Sequence, residues 1–598
     1  MRSPHVVLDN LQQKARDAEY RFERLYRNLY NPDFYTLAYQ NIYANAGAMT
    51  PGADEATLDG ISLERIQTLV RTLKDHSYQP QPARRVYIPK KSGGQRPLGI
   101  ASAHDKLVQE VVRMLLESIY EPTFSPVSHG FRPGRSCHTA LAQIQVTFTG
   151  VKWFVEGDIK AYFDSIDHHV LINILRRRIH DEPFIELLWK LLKAGYLEDW
   201  QHHATYSGTP QGAGCSPILA NLYLNELDQY MAAYKTAFDQ GSQRGPNKEY
   251  GRVRAQYLRL QKQSVQQEGN QSREERWALK QQLLKIPAKD PMDAKYRRIQ
   301  YVRYADDFLV GVIGSKADAE AVKADIGRFL ADALKLTLSP AKTLVTHGQD
   351  KARFLGYDVT IGHNLTTRRT VRGPMRVFSH RVQLYAPKDC WVGKLQELGV
   401  LKIASQRQGP ERWSSVPRLD YVGMEPHEIV WRYNAQIRGL YNYYRLARNA
   451  TVLHKFYYVM EYSLYKTLAV KFRSTVGRVR TRYTHAGVFR IEYQSPSGPR
   501  RVTLCARSFP RMTMPLAAFI DTLPEAHSRR PKEIFFRMKA SRCELCRACN
   551  VPVSVHQIPM LKALSGVYEW ERVMLTMRRK TLMVCESCHQ AIHAVDNA

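Results

Sequence analysis

Residues 301–312 read YVRYADDFLVGV and place two adjacent carboxylates, Asp306 and Asp307, between apolar and aromatic residues. The flanking residues favour β-strands, so the pattern predicts a hairpin with Ala305, Asp306 and Asp307 near its tip. An isolated Asp-Asp pair is typical of turns, because aspartate side chains bond to nearby backbone groups there. A plain turn and a catalytic site are therefore two interpretations that the rest of the chain must separate.

A second apolar run with an embedded acid, KWFVEGDIKAYFDSIDH, covers residues 152–168. Its first part predicts a buried strand ending at Asp158, followed by a turn into a helix that Asp164 or Asp167 would cap. If the two strands are neighbours, Asp158 and Asp306 converge, and carboxylates that close repel each other unless cations lie between them. Mg²⁺ prefers such oxygen ligands, so the sequence predicts a magnesium site.

The length and charge of the chain narrow the class of protein. Its 598 residues suffice for about three to four domains. Lys and Arg number 87 against 56 Asp and Glu, and this net charge of +31 favours a polyanion partner over a merely solvated surface. We expect a soluble, intracellular protein, since we find neither an apolar run of about 18 residues nor a signal-peptide core.

Further segments follow the two acid-bearing stretches in a recognisable order. The stretches themselves resemble motifs A and C of reverse transcriptases. Five further segments resemble the remaining motifs of these enzymes: RRVYIPKKSGGQRPLGI (84–100), SHGFRPGRSCHTAL (128–141), GTPQGAGCSPILANLYLNELD (208–228), LKLTLSPAKTLVTH (334–347) and RFLGYDV (353–359). With NAGAMTPGAD upstream and a Tyr-rich block downstream, the chain is similar to group II intron-encoded proteins, which are reverse transcriptases and maturases.

The resemblance implies an α+β fold of the right-hand polymerase type, with fingers and palm, an α-helical thumb or maturase domain, and a small C-terminal HNH-like ββα zinc module. The expected divisions are an N-terminal extension (1–75), reverse transcriptase fingers and palm (76–370) with an insertion (235–298), thumb or maturase domain X (371–480), a basic DNA-binding region (481–540) and the zinc module (541–598). Residues 471–542 carry sixteen Lys or Arg against four Asp or Glu, which is typical of phosphate-directed binding.

The resemblance also assigns roles to residues of the polymerase site. Asp158, Asp306 and Asp307 would be the catalytic acids, with Asp158 and Asp306 holding two Mg²⁺. Because adjacent strand residues point to opposite faces, we expect only Asp306 to face Asp158 directly. We expect Asp307 to support the site from its edge, through hydrogen bonding or a weaker electrostatic contribution. Phe163 would exclude a 2′-hydroxyl and Lys342 would protonate the departing pyrophosphate, with ordinary core packing and a plain surface lysine as alternatives. The residues expected to contact the dNTP are Lys90, Arg96, Phe163, Gln211 and Lys342.

Two Tyr-rich stretches, 431–447 and 455–472, combine aromatic and basic residues. By resemblance this block grips intron RNA, with apolar and aromatic helix faces packed inside and basic residues presented outward. Helix-bundle core with solvated charge is the alternative for much of the block. The candidate RNA-binding residues are Arg432, Arg438, Arg445 and Lys466.

Five of the nine cysteines lie in the last 56 residues, within CELCRACNVPVSVHQI (543–558) and VCESCHQAIH (584–593). A CxxC pair followed about 40 residues later by another predicts a structural zinc site. The module resembles an HNH endonuclease, in which a His-His pair supplies a metal ligand and a general base. Here that pair is His556–Gln557, so His556 and His593 could bind a divalent metal while Gln557 cannot accept a proton; a one-residue shift would make His556 the base. The predicted zinc ligands are Cys543, Cys546, Cys585 and Cys588.

The implied function is an RNA-directed DNA polymerase that binds a group II intron RNA, assists its splicing and copies it into DNA by target-primed reverse transcription during retrohoming. Nicking of the second strand of the target DNA by the HNH module is a further activity that the sequence leaves open. Expected partners are the intron RNA, target DNA and dNTPs, but no membrane, with the protein a homodimer or a monomer in a ribonucleoprotein. We expect it in a bacterial-type cytoplasm, on the nucleoid when bound to DNA. The alternatives are an RNA-binding splicing factor without polymerase activity and a mainly DNA-cleaving homing endonuclease.

Overall fold

The structure is a computed structural model, and two of the expected dNTP contacts, Lys90 and Gln211, lie outside the residues that it describes. The described residues are 2–45, 47–89, 93–198, 201–203, 214–263, 270–290, 293–362, 367–371, 373–376, 380–404, 411–495, 498–505, 508–513 and 529–596.

Helices and strands are mixed along the whole chain. The helices are α1 (Pro4–Lys14), α2 (Pro32–Ile42), α3 (Leu63–Lys74), α4 (Ala103–Tyr120), α5 (Cys137–Thr147), α6 (Tyr162–Ser165), α7 (His168–Arg176), α8 (Glu182–Lys193), α9 (Ser216–Phe238), α10 (Lys248–Gln263), α11 (Asn270–Lys285), α12 (Lys316–Leu334), α13 (Lys388–Glu397), α14 (Pro426–Tyr444), α15 (Leu453–Lys471), α16 (Val476–Tyr483), α17 (Glu533–Lys539), α18 (Glu569–Met577) and α19 (Glu586–Asp596). The strands are β1 (Ile61–Ser62), β2 (Ala83–Pro89), β3 (Gln95–Ile100), β4 (Trp153–Gly157), β5 (Tyr196–Glu198), β6 (Gln201–His203), β7 (Arg298–Tyr304), β8 (Asp307–Ile313), β9 (Leu344–His347), β10 (Ala352–Phe354), β11 (Tyr357–Ile361), β12 (Thr367–Thr370), β13 (Gly373–Arg376), β14 (Val382–Tyr385), β15 (Leu401–Ala404), β16 (Arg412–Ser415), β17 (Thr484–His485), β18 (Val488–Ser495), β19 (Gly498–Thr503), β20 (Ser554–Gln557) and β21 (Thr581–Val584).

Both acid-bearing stretches lie in one antiparallel sheet of order β7–β8–β4–β9. β7 and β8 form a hairpin that closes on the Tyr304–Asp307 pair, and β4 runs antiparallel to β8. Close packing at the end of β4 requires a glycine, since a Cβ on Gly157 would lie 2.0 Å from the Phe308 ring. The two strands that the sequence predicts as neighbours are therefore adjacent, which brings their acids to one edge of the sheet.

The segment expected to form the fingers folds as the β2–β3 hairpin, within a second sheet of order β3–β2–β5–β6. Gly93 and Gly94 lie between the two strands with φ values of +84° and +78°. Glycine adopts this left-handed conformation without steric cost, so the Gly-Gly pair suits the turn. Arg96 follows on β3 with an exposed side chain.

The Tyr-rich block forms α14 and α15, which pack on each other and on the β17–β18–β19 sheet. Most of its tyrosines serve the core, and Tyr433 is fully buried. The Tyr433 hydroxyl lies 2.8 Å from Ser463 Oγ and 3.0 Å from Thr467 Oγ1, which fixes one helix against the other. Further buried tyrosines of these helices are Tyr444, Tyr457 and Tyr465.

The C-terminal module packs directly on the N-terminal helices. β1 joins β20 and β21 in a three-stranded sheet, with Ile61 paired to Val555. α17 packs on α2, and the ammonium of Lys539 lies 2.5 Å from the carboxylate of Asp33. Val555 and Met583 belong to the same hydrophobic core as the N-terminal helices and the palm. The two ends of the described chain therefore form one packed unit.

Residues 235–298, expected as an insertion, contain α10 and α11, which pack against each other. Among the described residues, no helix combines the length and the apolar character needed to cross a membrane.

Candidate active site and metal sites

Three carboxylates lie together at the edge of the β7–β8–β4–β9 sheet. Asp158 directly follows β4, Asp306 lies in the hairpin turn, and Asp307 begins β8. Burial, together with the negative charge of Asp158, raises the pKa of Asp306. Burial and the charges of Asp306 and Asp158 raise the pKa of Asp307 to about 7, and the Asp307 carboxyl hydrogen-bonds to that of Asp158. Asp158 therefore acts electrostatically on both acids of the hairpin.

This arrangement differs from the expectation that only Asp306 would face Asp158. Strand alternation does not apply to Asp306, because this residue lies in a turn. Ala305 before it has a left-handed φ of +54°, which changes the direction of the chain between the strands. Asp307 then enters β8, and its carboxyl hydrogen-bonds to that of Asp158, in keeping with the supporting role expected for it.

Arg303 stabilises the hairpin turn, a role that the sequence analysis did not predict. Its guanidinium is fully buried and lies 2.6 Å from Asp228 Oδ2 of α9. It also donates hydrogen bonds of 2.8 Å to the carbonyl oxygen of Ala305 and to Ser128 Oγ. An arginine within an apolar strand is the signal that could have revealed it, since a buried charge needs a partner.

The SHGF segment contacts the same turn from the other side. The His129 N–H donates to the Arg303 carbonyl oxygen at 2.9 Å. A Cβ on Gly130 would lie 2.4 Å from the Ala305 nitrogen, and the Gly130 carbonyl accepts a 2.8 Å bond from Asn221 Nδ2 of α9. Three segments distant in sequence therefore fix the position of the two hairpin acids.

Among the expected dNTP contacts, Lys342 and Arg96 act on the acids. Lys342 Nζ lies 3.1 Å from Asp158 Oδ2 with its side chain 68% exposed. The charge of Arg96 lowers the pKa of Asp306, against the larger effect of burial. Phe163 lies half-buried in α6, with its ring 6.4 Å from that of Phe131.

The carboxylate cluster fits a divalent cation. Three half-buried acids share the site, and burial, together with the charges of the neighbouring acids, raises the pKa values of Asp306 and Asp307. Carboxylate oxygens are the ligands that Mg²⁺ prefers, and reverse transcriptases use this ion. The donor set therefore suits magnesium.

The four cysteines predicted to bind zinc lie together. Their sulfur atoms are all within 4.8 Å of one another, and Cys546 Sγ is 3.8 Å from Cys585 Sγ. Four thiolates about 2.3 Å from a tetrahedral zinc are spaced by about 3.8 Å, so this cluster could bind zinc. Cys549 is not a member, and its Sγ lies 3.6 Å from the carbonyl oxygen of Arg547.

A second cluster of candidate ligands contains Asp59, His556, His589 and His593. The sequence indicated His556 and His593, but not Asp59, which lies almost 500 residues away along the chain. Gln557, at the position of the general base, is 3% exposed. Its Oε1 accepts a 2.6 Å hydrogen bond from the Tyr39 hydroxyl and its Nε2 donates to the Tyr43 carbonyl oxygen at 2.9 Å.

The basic residues expected to bind RNA differ in their exposure to solvent. Arg432 and Arg438 are exposed on α14, whereas Arg445 is half-buried. Lys466 is half-buried, and its Nζ donates a 2.6 Å hydrogen bond to the Ser415 carbonyl oxygen of β16. It lines a surface cavity of about 550 Å³ together with further basic and aromatic residues, among them Arg412, Trp413, Lys455 and Tyr458.

Comparison with known proteins agrees with this geometry. A model described as reverse transcriptase (RNA-dependent DNA polymerase) matches residues 88–243 and 279–359, type II intron maturase matches 379–507, and AI2M/AI1M-like HNH endonuclease matches 543–589. The group II intron-encoded protein LtrA of Lactococcus lactis subsp. cremoris is 39% identical over 99% of both chains. The chain belongs to the group II intron-encoded proteins.

Other similar proteins match most or part of the sequence of this intron-encoded protein. An uncharacterized 91 kDa protein in the cob intron of Schizosaccharomyces pombe is 34% identical over 99% of this chain and 73% of its own length. YkfC of Escherichia coli is 35% identical over 62% of this chain and 92% of its own length. The predicted family and enzyme class are confirmed, and the protein is a reverse transcriptase.

The matched segments relate to the sites in different ways. The reverse transcriptase segments of this intron-encoded protein contain all three palm acids and leave out 244–278, within the α10–α11 region. The HNH segment contains the four cysteines, His556 and His589, but neither His593 nor Asp59. The domain boundaries and the cellular location stay predictions.

Proposed function

We propose that this protein copies its group II intron RNA into DNA at the palm carboxylate cluster and assists splicing of the same RNA. The observation that carries the proposal is the mutual electrostatic effect of Asp158, Asp306 and Asp307 at the hairpin turn, with Lys342 Nζ 3.1 Å from Asp158 Oδ2. Primer extension from a nick in target DNA, as in retrohoming, would use this single site.

Asp158 and Asp306 would hold two Mg²⁺, which when bound activate a primer 3′-hydroxyl and stabilise the leaving pyrophosphate. Lys342, whose Nζ lies 3.1 Å from Asp158 Oδ2, would donate the proton to the departing pyrophosphate. Arg96 would neutralise triphosphate charge from β3. Lys90, Gln211 and Phe163 complete the proposed nucleotide site through phosphate contact, base contact and exclusion of a 2′-hydroxyl.

The thumb would bind intron RNA through Arg432, Arg438 and Arg445, and the basic region after it would bind target DNA. Support comes from the exposure of Arg432 and Arg438 and from a cavity lined by β16 and α15, to which Trp413 and Tyr458 contribute aromatic rings. Bases stack on such rings while basic residues contact phosphates. Zinc bound by the four clustered cysteines would stabilise the C-terminal module.

Primer extension on an RNA template tests the polymerase proposal. Purified protein with Mg²⁺ and dNTPs is expected to extend a DNA primer, and Asp306→Asn is expected to abolish the product. Asp332→Asn, an exposed aspartate on α12, is the matched control and should keep activity. A wild-type protein that yields no product would overturn the polymerase proposal in favour of a splicing factor.

Sequencing of RNA that co-purifies with the protein tests the RNA partner. Recovery of one structured intron is the expected result, because splicing assistance requires specific binding. A random RNA pool would contradict the specific partner while leaving the polymerase proposal standing.

A further inference from the structure

Two aromatic rings contact Phe163, the residue proposed to exclude a 2′-hydroxyl. The Tyr162 ring lies 5.4 Å from the Phe163 ring at an interplanar angle of 59°, and the Phe131 ring lies 6.4 Å away at 74°, in edge-to-face geometry. Both separations fall within the range in which aromatic rings attract each other. Phe163 is itself half-buried and packs against the core of the palm. The orientation of its ring therefore depends on two aromatic neighbours.

Tyr162 fixes one side of Phe163 to the core. Its side chain is buried, and its hydroxyl donates a 2.6 Å hydrogen bond to the carbonyl oxygen of Ala220 in α9. Burial raises the pKa of Tyr162, and the charges of Arg303 and Asp306 act on it in opposite directions. The Tyr162 ring therefore lies within electrostatic range of the catalytic turn and supports Phe163 from the inside.

Phe131 lies on the solvent side and combines two unfavourable features. Its large apolar side chain is 46% exposed, and its backbone has a left-handed φ of +56°. A left-handed backbone is costly for a residue with a Cβ, whereas glycine adopts it without that cost. Neither core burial nor backbone geometry therefore accounts for a phenylalanine at this position, whereas the contact with Phe163 uses its ring.

The backbone on both sides of Phe131 is tightly held. Gly130 packs so closely against the catalytic hairpin that a Cβ there would lie 2.4 Å from the Ala305 nitrogen. Arg132 is buried, and its guanidinium lies 2.9 Å from the carboxylate of Glu121. Because Phe131 lies between these two anchored residues, its ring is positioned relative to the catalytic hairpin.

We propose that Phe131 is a positioning residue for sugar specificity, whose ring holds Phe163 in the orientation that rejects a ribonucleotide. This inference rests on the proposed role of Phe163 in excluding a 2′-hydroxyl. Tyr162 contacts the Phe163 ring from the core and Phe131 contacts it from the solvent side, so loss of Phe131 lets the ring turn away. A ribonucleotide then binds more readily, because its rejection depends on a steric clash that Phe163 must not relieve.

Single-nucleotide primer extension by the full-length protein on an RNA template, with dCTP or CTP, tests the proposal. Phe131→Ala is expected to lower the ratio of kcat/KM for dCTP to kcat/KM for CTP by about 2–10-fold, as the energy of one aromatic pair implies. The change should come from a higher kcat/KM for CTP, whereas general damage to the site would lower both values. Phe131→Tyr keeps the ring and should keep the wild-type ratio. Phe536→Ala, which replaces an exposed phenylalanine of α17, is the matched control and should also keep it.

Two further variants separate an effect on Phe163 from a folding defect. Phe131→Gly removes the ring and suits the left-handed φ, so it should fold as the wild type does and show the same loss of selectivity. Phe163→Ala should lower the ratio further than Phe131→Ala. The double variant Phe131→Ala/Phe163→Ala should match Phe163→Ala, because Phe131 acts through Phe163.

The outcomes distinguish the proposal from the role of Phe163 on which it rests. A wild-type ratio in both Phe131→Ala and Phe131→Gly, beside a lowered ratio in Phe163→Ala, would overturn the proposal and leave the role of Phe163 standing. An unchanged ratio in Phe163→Ala would contradict the role of Phe163 itself, and the proposal with it. Additive losses in the double variant would overturn the proposal in favour of direct contact between Phe131 and the nucleotide.

Discussion

The palm carboxylates and the C-terminal histidines are two clusters of candidate metal ligands with opposite electrostatics. Asp158, Asp306 and Asp307 crowd like charges, and the pKa of Asp307 rises to about 7 under burial and the charges of its neighbours. The other cluster joins three imidazoles to one carboxylate, Asp59, so it holds a single negative charge and its ligands do not repel one another. The comparison teaches that crowded carboxylates raise one another's pKa values, whereas imidazoles around a single carboxylate do not crowd like charges.

The largest expected effect separates the two clusters by function. Asp306→Asn should lower the rate of primer extension by on the order of 10³-fold or more, because several kcal/mol of metal-dependent stabilisation are lost. Zinc content should stay at the wild-type value. Asp307→Asn should leave residual synthesis, since an amide can still bond to Asp158. Equal losses in the two variants would show that both acids hold metal directly.

The next test concerns the support behind the palm cluster. Asp228→Asn removes the charge partner of fully buried Arg303, and breaking a buried ion pair costs about 3–5 kcal/mol. We expect a lower free energy of unfolding in denaturant titration and slower synthesis, because Arg303 also holds the Ala305 carbonyl oxygen. Asp332→Asn serves as the exposed control. Unchanged stability in Asp228→Asn would argue that the ion pair does not fix the turn.

Measuring the Mg²⁺ dependence of synthesis at several pH values tests the crowding of negative charge among the palm carboxylates. With the pKa of Asp307 at about 7 in the metal-free protein, Mg²⁺ must displace a proton below neutrality. The Mg²⁺ concentration giving half-maximal synthesis should rise by about fivefold between pH 7 and pH 6 and level off above pH 8. Asp307→Asn should flatten this dependence. A flat wild-type profile would contradict the proton competition.

The same raised pKa has a consequence for stability. Between about pH 4 and pH 7 the metal-free native state holds a proton on Asp307 that the unfolded chain has lost. The metal-free protein should therefore lose stability as the pH rises through this window, and saturating Mg²⁺ should remove the loss. Denaturant titration at several pH values, with and without Mg²⁺, measures it.

The smallest expected effect compares two basic residues of the thumb. Arg432→Ala should reduce the slope of log affinity for intron RNA against log salt by about 1, as for one lost phosphate contact. Lys466→Ala should leave the slope unchanged and cost about 1–2 kcal/mol of stability, because its ammonium is bonded to the Ser415 carbonyl oxygen. A reduced slope for Lys466→Ala would mean that this bond gives way to RNA.

Local patterns were enough to predict the hairpin around Asp306, the strand before Asp158 and the four-cysteine cluster. Each of these features depends on residues close in sequence, through strand alternation or the fixed CxxC spacing, so the local sequence pattern predicts its geometry. The orientation of Asp307 was not predictable in this way, because the left-handed Ala305 interrupts the alternation. The Arg303–Asp228 ion pair was not predicted, for a different reason. Its two residues lie on separate elements, and no local sequence pattern specifies which buried charges will pair.

The sequence by itself determined the family, and it predicted the palm acids and the four cysteines that cluster, since these predictions rest on residue type and short spacing. Only the tertiary structure decided that Asp59 meets the histidines of the C-terminal module. That contact depends on β1 pairing with β20 and on a core shared by both ends of the chain. Strand pairing and core packing act between residues far apart in sequence, so they were decided by the fold as a whole.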